Sequence, residues 1–262
     1  MTIPEPPGLL GHTIHRLGAV TSTQDEAAKL ARTGAAEGTV VTATHQHAGR
    51  GRRSRQWLDA PGESLLMSVL LRPPIRPQEA PQLSLVAAVA VVDALASAGV
   101  RAAIRWPNDV MVAERKICGI LPEAATATQD TLQNVILGVG LNVNQNDFPA
   151  LIRALATSMR IETGRAHLIE EMRGAVLAAL DGWYARFLRE GLGGERGFGG
   201  LREAWLERAQ SIGRRARAAD GREGVAVGLA GDGALLLRTD GGETVRVVAG
   251  GVTTEALHAA GR

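Results

Sequence analysis

The sequence predicts a mixed β-sheet flanked by helices, followed by a small all-β domain. Apolar and β-branched runs of strand length alternate with helical patterns as far as about residue 210. From Ser211 onward the runs are short and are broken by Asp-Gly and Gly-Gly pairs, which favour hairpin turns. We therefore expect a first domain over residues 1–210 and a second domain over residues 211–262.

The strands of the first domain are predicted from apolar runs bounded by turn residues. They are expected at TVVTAT (39–44), SLLMSVLLR (64–72), RAAIRWPNDVMV (101–112), KICGILPEA (116–124) and NVILGVGLNVN (134–144). Turn signals lie at Pro107-Asn108-Asp109 and at Glu114-Arg115. These runs form the predicted mixed sheet.

Helices are predicted on both sides of these strands. A hydroxyl-rich stretch, TSTQDEAAKLA, predicts a helix with Ser22 or Thr23 as its N-cap. Residues 82–99 are alanine-rich and predict a largely buried helix that ends on Gly99. A longer helix is predicted over residues 166–191. Its apolar face comprises Leu168, Met172, Ala175, Val176, Ala179, Trp183 and Phe187.

The second domain is predicted to be a small β-barrel or meander. It is preceded by GLGGERGFGG, which is typical of a flexible connection, and by a short helix around residues 201–209. Hairpins are expected at Gly231-Asp232-Gly233 and at Asp240-Gly241-Gly242.

Composition places the chain among folded globular proteins of the cytoplasm. Of its 262 residues, 45% are hydrophobic and 21% are charged. Its single cysteine, Cys118, excludes an internal disulfide framework and fits a reducing compartment. The start carries no basic segment followed by an apolar one, and no uninterrupted apolar run reaches about 20 residues. We expect a cytoplasmic protein without a membrane segment.

The net charge is only +2, so the basic residues matter where they cluster. AGRGRRSRQW, residues 48–57, brings four arginines between two predicted strands. It lacks the third glycine and the following helix of a dinucleotide-binding motif, and no P-loop motif occurs in the chain. A glycine-rich loop of guanidinium groups suits a phosphorylated ligand. A solvated basic loop, or nonspecific contact with nucleic acid, has about equal weight from these residues alone.

Other polar residues are candidates for binding. Asn108 and Asp109 form a turn that can orient a ligand or a hydrated magnesium ion, and Lys116 follows at the start of the apolar run ICGIL. That lysine either extends to solvent at the strand edge or is held for a negative charge. His45 and His47 lie two residues apart, but the absence of a nearby third ligand disfavours a zinc site. Inert core packing is the expected role of Cys118.

Five motifs together resemble the biotin protein ligases, also called holocarboxylase synthetases. They are TSTQ, THQHAGRGRRSRQW, RWPND, RKICGIL and GVGLNVN, and the similarity runs from about Val20 to the C terminus. It implies an α+β catalytic domain related to class II aminoacyl-tRNA synthetases and lipoate ligases, followed by a small SH3-like barrel. It also implies an ATP-dependent, AMP-forming reaction. Biotin and MgATP give biotinyl-5'-AMP and pyrophosphate, and a lysine of the biotin carboxyl carrier protein of acetyl-CoA carboxylase then takes the acyl group.

The resemblance also implies roles for individual residues. Lys116 and Arg52 are the expected catalytic residues. Biotin is expected to contact Ser22, Thr23, Gln24, Gln46, Arg50, Gly51, Arg52, Lys116 and Gly119. ATP and the adenylate are expected to contact Gly49, Arg52, Arg53, Trp57, Asn108, Asp109, Lys116 and Asn142. Mg²⁺ is expected to enter on the ATP phosphates, with Asp109 as its candidate protein ligand.

Three positions depart from the family pattern. Gln24 stands where asparagine is usual, Arg105 where lysine is common, and Ser54 where a third glycine is usual. The change at Ser54 is the most consequential, because only glycine reaches positive φ at little cost.

Two alternative functions follow from the same similarity. One is a lipoate or octanoate ligase of the same superfamily. The other is a biotin-responsive, DNA-binding repressor, which is disfavoured because only about 20 residues precede the Ser22 motif, too few for an N-terminal helix-turn-helix domain. We expect no specific nucleic-acid or membrane partner, and a monomer or weak homodimer.

Overall fold

The computed structural model describes residues 8–190 and 200–248, together with the backbone of 252–254. Two sheets organise these residues. The strands of the larger sheet are β1 (Ile14–Val20), β2 (Val40–Gln46), β3 (Ser64–Leu71), β4 (Ala103–Arg105), β5 (Asp109–Val112), β6 (Arg115–Thr126) and β7 (Leu132–Asn142). The helices are α1 (Thr23–Arg32), α2 (Gln82–Ser97), α3 (Met159–Thr163), α4 (Ile169–Glu190) and α5 (Gly200–Glu207).

The larger sheet is mixed, as predicted. Its seven strands run in the order β1-β2-β3-β7-β6-β5-β4. Only β1 and β2 pair in parallel, and the other neighbours are antiparallel. The predicted strand at 101–112 is in fact the hairpin of β4 and β5, because the turn at Pro107 falls inside it. Strand β1 was not predicted from the sequence.

Alternation along β7 divides the sheet into two faces. Val135, Leu137, Val139 and Leu141 belong to the main core, which also contains α2 and α4. Ile136, Gly138 and Gly140 lie on the opposite face, where α1 covers Ile136. Beyond the N terminus of α1 this second face carries glycines rather than large side chains. The fold therefore leaves space on the sheet at this point.

Helix α2 is the most buried helix of the domain. Together with the turn before it, at Pro77–Ser97, it is the one helical segment of the described chain that is long and apolar enough to cross a membrane. Of its most apolar stretch, 78% is buried inside the fold, which is the environment of a core helix. Gly99 follows it at a φ of 83°, as the predicted glycine terminus requires.

The other predicted helices are present, with one correction. Ser22 caps α1 by accepting a hydrogen bond from Gln24 N at 3.2 Å. In α4, Met172, Val176 and Phe187 are buried as predicted, whereas Leu168 precedes the helix and is 66% exposed. The predicted flexible connection at 191–200 lies outside the described residues except for Gly200, which begins α5.

A five-stranded antiparallel sheet follows the larger sheet and its helices. Its strands are β8 (Arg215–Ala218), β9 (Glu223–Leu229), β10 (Leu235–Arg238), β11 (Thr244–Val247) and β12 (Val252–Thr254), in the order β11-β10-β9-β8-β12. Both predicted hairpin turns are present, between β9 and β10 and between β10 and β11. Trp106, which follows β4, links the two sheets, because its Nε1 donates to Gly233 O at 3.0 Å and its backbone N donates to Ser211 Oγ at 3.1 Å.

Candidate functional site

A cavity of about 280 Å³ lies on the glycine-bearing face of the larger sheet. Gly119, Gly138 and Gly140 form its floor. A Cβ atom on Gly140 would stand 2.7 Å from Trp57 Cε2, and one on Gly138 would stand 2.9 Å from Gln24 Cδ. A side chain at position 140 would collide with the rigid Trp57 ring, whereas one at position 138 would have to displace the end of the flexible Gln24 side chain. Alternate glycines in GVGLNV were the sequence signal for this floor, and we had not assigned them a role.

The start of α1 forms one wall of the cavity. Thr23 donates to Gln46 Oε1 from both its backbone N, at 2.8 Å, and its Oγ1, at 3.0 Å. Gln46 N in turn donates to Asp59 Oδ1 at 3.3 Å. These bonds fix the side-chain oxygen of Gln46, and within the described chain nothing accepts from its Nε2. The wall can therefore offer the amide N–H groups of Gln46 to a polar ligand, whereas the Thr23 hydroxyl already contacts Gln46 Oε1 and Ser68 Oγ.

The arginine loop, residues 48–58, forms the second wall. Two main-chain hydrogen bonds shape it, from Trp57 N to Gly49 O at 2.9 Å and from Gly51 N to Arg55 O at 2.7 Å. At its tip Arg53 and Ser54 both have a φ of 58°, in the left-handed region. The position where the family usually has glycine is thus one where the backbone favours glycine, and a non-glycine residue there costs about 1 kcal/mol.

Charged side chains meet at one end of the cavity. Lys116 Nζ lies 2.5 Å from Asp109 Oδ1, and Arg105 donates to Asp109 Oδ2 at 2.8 Å. Burial works against ionisation of Asp109, but Lys116 and Arg105 prevail and lower its pKa. Lys116 Nζ also lies 5.7 Å from the ring centroid of Trp57. Lys116 therefore lines the cavity rather than extending to solvent.

Arg52 extends from the loop towards the same charged end. Its guanidinium donates to Asn108 Oδ1 at 3.1 Å. Burial lowers the pKa of Arg52, as does the neighbouring charge of Arg53, while Asp109 acts in the opposite direction. Arg52, Asn108 and Leu121 also line a larger groove of about 780 Å³ between the two sheets. The side chain of Arg52 thus stands between the cavity and that groove.

Trp57 lies across the glycine floor. Its Nε1 atom is buried, and no residue in the part of the chain that the structure describes accepts a hydrogen bond from it. A buried N–H group without a partner carries an energetic cost, which a ligand acceptor would remove. The indole therefore packs on the floor strand at Gly140, with its N–H group enclosed and unsatisfied by the described residues.

An apolar segment around residues 148–156 completes the rim. Phe148, Ile152 and Leu155 line the cavity, and Leu155 is 62% exposed. The segment is attached at Lys116 itself, whose backbone N donates to Leu155 O at 2.7 Å. Asn142 donates to Thr157 O at 2.9 Å, so its amide group holds this segment. This rim was not predicted from the sequence.

Most of the site residues expected from the sequence line this cavity. Those that line it are Thr23, Gln24, Gln46, Arg50, Gly51, Arg52, Trp57, Asn108, Asp109, Lys116, Gly119 and Asn142. Three lie outside the lining: Ser22 is the buried cap of α1, Gly49 lies behind Trp57, and Arg53 is exposed on the loop. Lining residues that we had not predicted as ligand contacts are Arg55, Gln56, Leu58, Arg105, Ile120, Leu121, Gly138, Val139, Gly140, Phe148, Ile152, Leu155 and Ala156.

The described residues contain no cluster of three histidine, cysteine or acidic side chains that could hold a metal ion. His45 Nδ1 instead lies 2.8 Å from Asp59 Oδ2, next to the base of the arginine loop. Both oxygens of Asp109 contact cationic side chains. Cys118 is fully buried, and burial raises the pKa of its thiol, which fits a packing role.

Two family models match the chain and define its class. The model described as Biotin/lipoate A/B protein ligase family matches residues 17–142, and the model described as Biotin protein ligase C terminal domain matches residues 212–252. The first match contains the arginine loop, Lys116 and the glycine floor. The second match falls on the smaller sheet.

Named relatives and solved structures narrow the class. The chain is 40% identical to the bifunctional ligase/repressor BirA of Bacillus subtilis, over 85% of this chain and 68% of that protein. It is 36% identical to the biotin–[acetyl-CoA-carboxylase] ligase of Paracoccus denitrificans, over 87% of this chain and 95% of that protein. The biotin protein ligase of Aquifex aeolicus, in complex with biotin and ATP, superimposes with a TM-score of 0.77 at 28% identity, covering 94% of this chain and 99% of that one. The chain belongs to the biotin protein ligase family.

Proposed function

We propose that this protein is an ATP-dependent, AMP-forming biotin–[acetyl-CoA-carboxylase] ligase. The observation that carries the proposal is the position of Lys116, whose ammonium group lies beside a glycine floor and opposite a loop of guanidinium groups. Related structures support it, since they are described with biotin and ATP or with biotinyl-5-AMP bound. The named relatives share the ligase activity, and their names do not favour lipoate or octanoate as the substrate.

The chemistry explains why such a site needs positive charge. In the first half-reaction a carboxylate oxygen of biotin attacks the α-phosphorus of ATP, and pyrophosphate leaves. Two anions must approach one another, so cationic groups are needed to offset their repulsion and to stabilise the negative charge on the α-phosphate oxygens and on the departing pyrophosphate. In the second half-reaction the neutral amine of an acceptor lysine attacks the acyl carbon, the bond to AMP breaks, and the amine loses a proton. Exclusion of water protects the reactive anhydride between the two steps.

The residues of the cavity suit these tasks. Gln46, held by Thr23, offers its amide N–H groups for the ureido ring of biotin. Lys116 suits the meeting point of carboxylate and α-phosphate, and Arg52 suits the phosphates. Trp57 offers its face to the adenine. Arg53 is exposed, so it must turn inward if it is to contact the nucleotide.

Mg²⁺ enters, in this proposal, as part of the MgATP substrate. Magnesium commonly retains several waters and binds through substrate phosphates and one or two carboxylates. Asp109 Oδ1 contacts Lys116 and Oδ2 contacts Arg105, so this carboxylate would have to lose one cationic contact to bind the ion. The phosphates are therefore its principal ligands here.

The acceptor that we propose is a lysine of the biotin carboxyl carrier domain of an acyl-CoA carboxylase, as the name of the Paracoccus relative suggests. We also propose that residues 1–210 form the catalytic domain, related to class II aminoacyl-tRNA synthetases, and that residues 211–262 form an SH3-like barrel. The family matches that end at residue 142 and begin at residue 212 support this division. A cytoplasmic monomer or weak homodimer completes the proposal.

Pyrophosphate exchange into ATP tests the first half-reaction. Exchange should depend on biotin and should be absent with lipoate or octanoate. Transfer is then tested with a purified biotin carboxyl carrier domain, and mass spectrometry should find biotin on one lysine. Exchange that depends on lipoate and not on biotin would refute the substrate assignment.

A further inference from the structure

The side chain of Arg50 connects three parts of the cavity. Its Nε and Nη2 donate to the two carboxylate oxygens of Glu123 on β6, at 2.9 Å and 2.8 Å. Its Nη1 donates to Asp25 Oδ1 in the first turn of α1 at 2.7 Å. A bidentate pair of this kind fixes orientation as well as distance. Arg50 thereby joins the arginine loop to β6 and to α1 at once.

These partners belong to the walls that present the predicted ligand groups. Asp25 follows Thr23 and Gln24 directly on α1. Glu123 lies four residues beyond Gly119 along β6, and Lys116 is the second residue of the same strand. Gln24 Nε2 makes a second link between these walls by donating to Leu121 O at 3.2 Å. The position of Arg50 therefore determines how the loop sits over the cavity relative to both walls.

Arg50 and Arg52 differ in what they have left to offer a ligand. The charge of Arg50 is offset by two carboxylates, and its hydrogen bonds to Glu123 raise its pKa further despite burial. Arg52 donates only to the neutral amide oxygen of Asn108 within the described chain, so its charge is available for phosphate. The guanidinium group of Arg50 is thus already committed to protein carboxylates, whereas that of Arg52 remains available to bind an anion.

We propose that Arg50 is a positioning residue that acts through the loop, and that the ion triad Asp25–Arg50–Glu123 holds residues 49–57 over the cavity before substrate binds. Main-chain bonds carry this restraint onward, because Gly49 and Gly51, the neighbours of Arg50, pair with Trp57 and Arg55. A pre-positioned loop lowers the ordering cost that a ligand must meet. The triad should therefore affect substrate affinity and not the chemical step. The expected effect on KM rests on the proposed function, whereas the expected effect on trypsin cleavage of the loop does not.

Glu123→Gln tests the triad most directly, since within the described chain Glu123 hydrogen-bonds through its side chain only to Arg50. The variant keeps the size of the side chain and removes its charge. Without ligand, trypsin should cleave after Arg52, Arg53 and Arg55 about five- to tenfold faster, which is the effect of losing a charge-assisted contact at a half-exposed site. The KM for biotin in pyrophosphate exchange should rise by a similar factor, with kcat within about twofold of the unmodified protein.

Three further variants separate positioning from general stability. Asp25→Asn removes the charge of the carboxylate that makes the single contact and should give a smaller change in the same direction. Arg50→Lys keeps the charge but cannot make the bidentate contact, so it should fall between Glu123→Gln and the unmodified protein. Asp240→Asn is the matched control, because Asp240 pairs with Arg215 through both oxygens at 2.8 Å and 2.7 Å on the exposed second sheet. It should change neither cleavage nor KM.

Two results would overturn the proposal. One is a cleavage rate in Glu123→Gln and Asp25→Asn equal to that of the unmodified protein. The other is a fall in kcat at constant KM, which would place Arg50 in the chemistry. If Glu123→Gln does not fold, Asp25→Asn and Arg50→Lys decide the question. If the unmodified protein shows no biotin-dependent exchange, the proposed function fails, and the trypsin measurement still tests the triad.

Discussion

Replacement of Lys116 by alanine should reduce the adenylation rate far more than it reduces stability. Lys116 is the cationic group closest to Asp109, with Nζ 2.5 Å from Oδ1, and its side chain is 30% exposed. Arg105 remains on Asp109 when Lys116 is removed, so the carboxylate keeps one cationic partner. We therefore expect a loss of stability of about 1 kcal/mol.

The kinetic effect should be larger, because the ammonium stabilises charge that develops only during the reaction. Loss of one charge-assisted partner in a water-poor site costs about 2 to 4 kcal/mol in the transition state, or roughly a thirty- to thousandfold decrease in rate. Pyrophosphate exchange with biotin measures the rate, and thermal unfolding by circular dichroism measures stability. Lys116→Met keeps the aliphatic stem and should lose the same activity.

The chain provides its own control for this experiment. Lys29 is the only other lysine in the sequence, and it pairs with Glu26 on the surface of α1 at 2.7 Å. Lys29→Ala should leave both exchange and unfolding nearly unchanged. An exchange rate in Lys116→Ala equal to that of Lys29→Ala would refute the role of Lys116 and would leave it a structural residue.

Four further predictions follow from the geometry. Ser54→Gly should relieve the positive φ of 58° and stabilise the loop by about 0.5 to 1 kcal/mol, seen as slower trypsin cleavage at Arg55. Gly140→Ala should displace Trp57, since the new Cβ would stand 2.7 Å from Cε2; a shift in tryptophan fluorescence and a KM for ATP raised about tenfold or more are expected. The pKa of Asp109 is lowered from its ordinary value of 3.8, so ionised Asp109 stabilises the fold above pH 3.8, and this stabilisation is lost as the pH falls through the lowered pKa. Against the opposing effect of burial, Lys116 is the main cause of the lowering. In urea unfolding at acid pH, Lys116→Ala should therefore lose stability at a higher pH than the unmodified protein. Biotin with MgATP should protect the arginine loop from trypsin strongly, biotin alone partly, and ATP alone least.

Each of these predictions has a contrary result. Faster cleavage in Ser54→Gly would mean that loss of the side chain loosens the loop more than relief of strain stabilises it. An unchanged fluorescence spectrum in Gly140→Ala would place Trp57 elsewhere in solution. Identical acid unfolding curves would mean that Asp109 does not depend on Lys116. Equal cleavage under all ligand conditions would mean that the loop does not respond to an adenylate.

Local patterns in the sequence were sufficient to predict most of the secondary structure. The strands β2, β3, β6 and β7, the long helices and both hairpins of the second sheet follow from period, caps and turn residues, which act between near neighbours. The candidate site residues were predicted in the same way, because Lys116, Trp57 and the arginines belong to short motifs that are recognisable in the sequence. The left-handed backbone at Ser54 was also foreseeable from the residue type usual at that position.

Only the tertiary structure showed which of these elements pair and which side chains meet between them. Strand β1 is an edge strand that alternates poorly and pairs in parallel with β2, so nothing within IHRLGAV identifies it. The rim at 148–156 is placed by hydrogen bonds to the backbone of Lys116, more than thirty residues earlier in the chain. The partners of Arg50 lie 25 and 73 residues away in the sequence, on α1 and on β6, and these elements come together only when the sheet assembles. Contacts of this kind depend on strand order and register, which long-range packing determines and short-range sequence patterns do not encode.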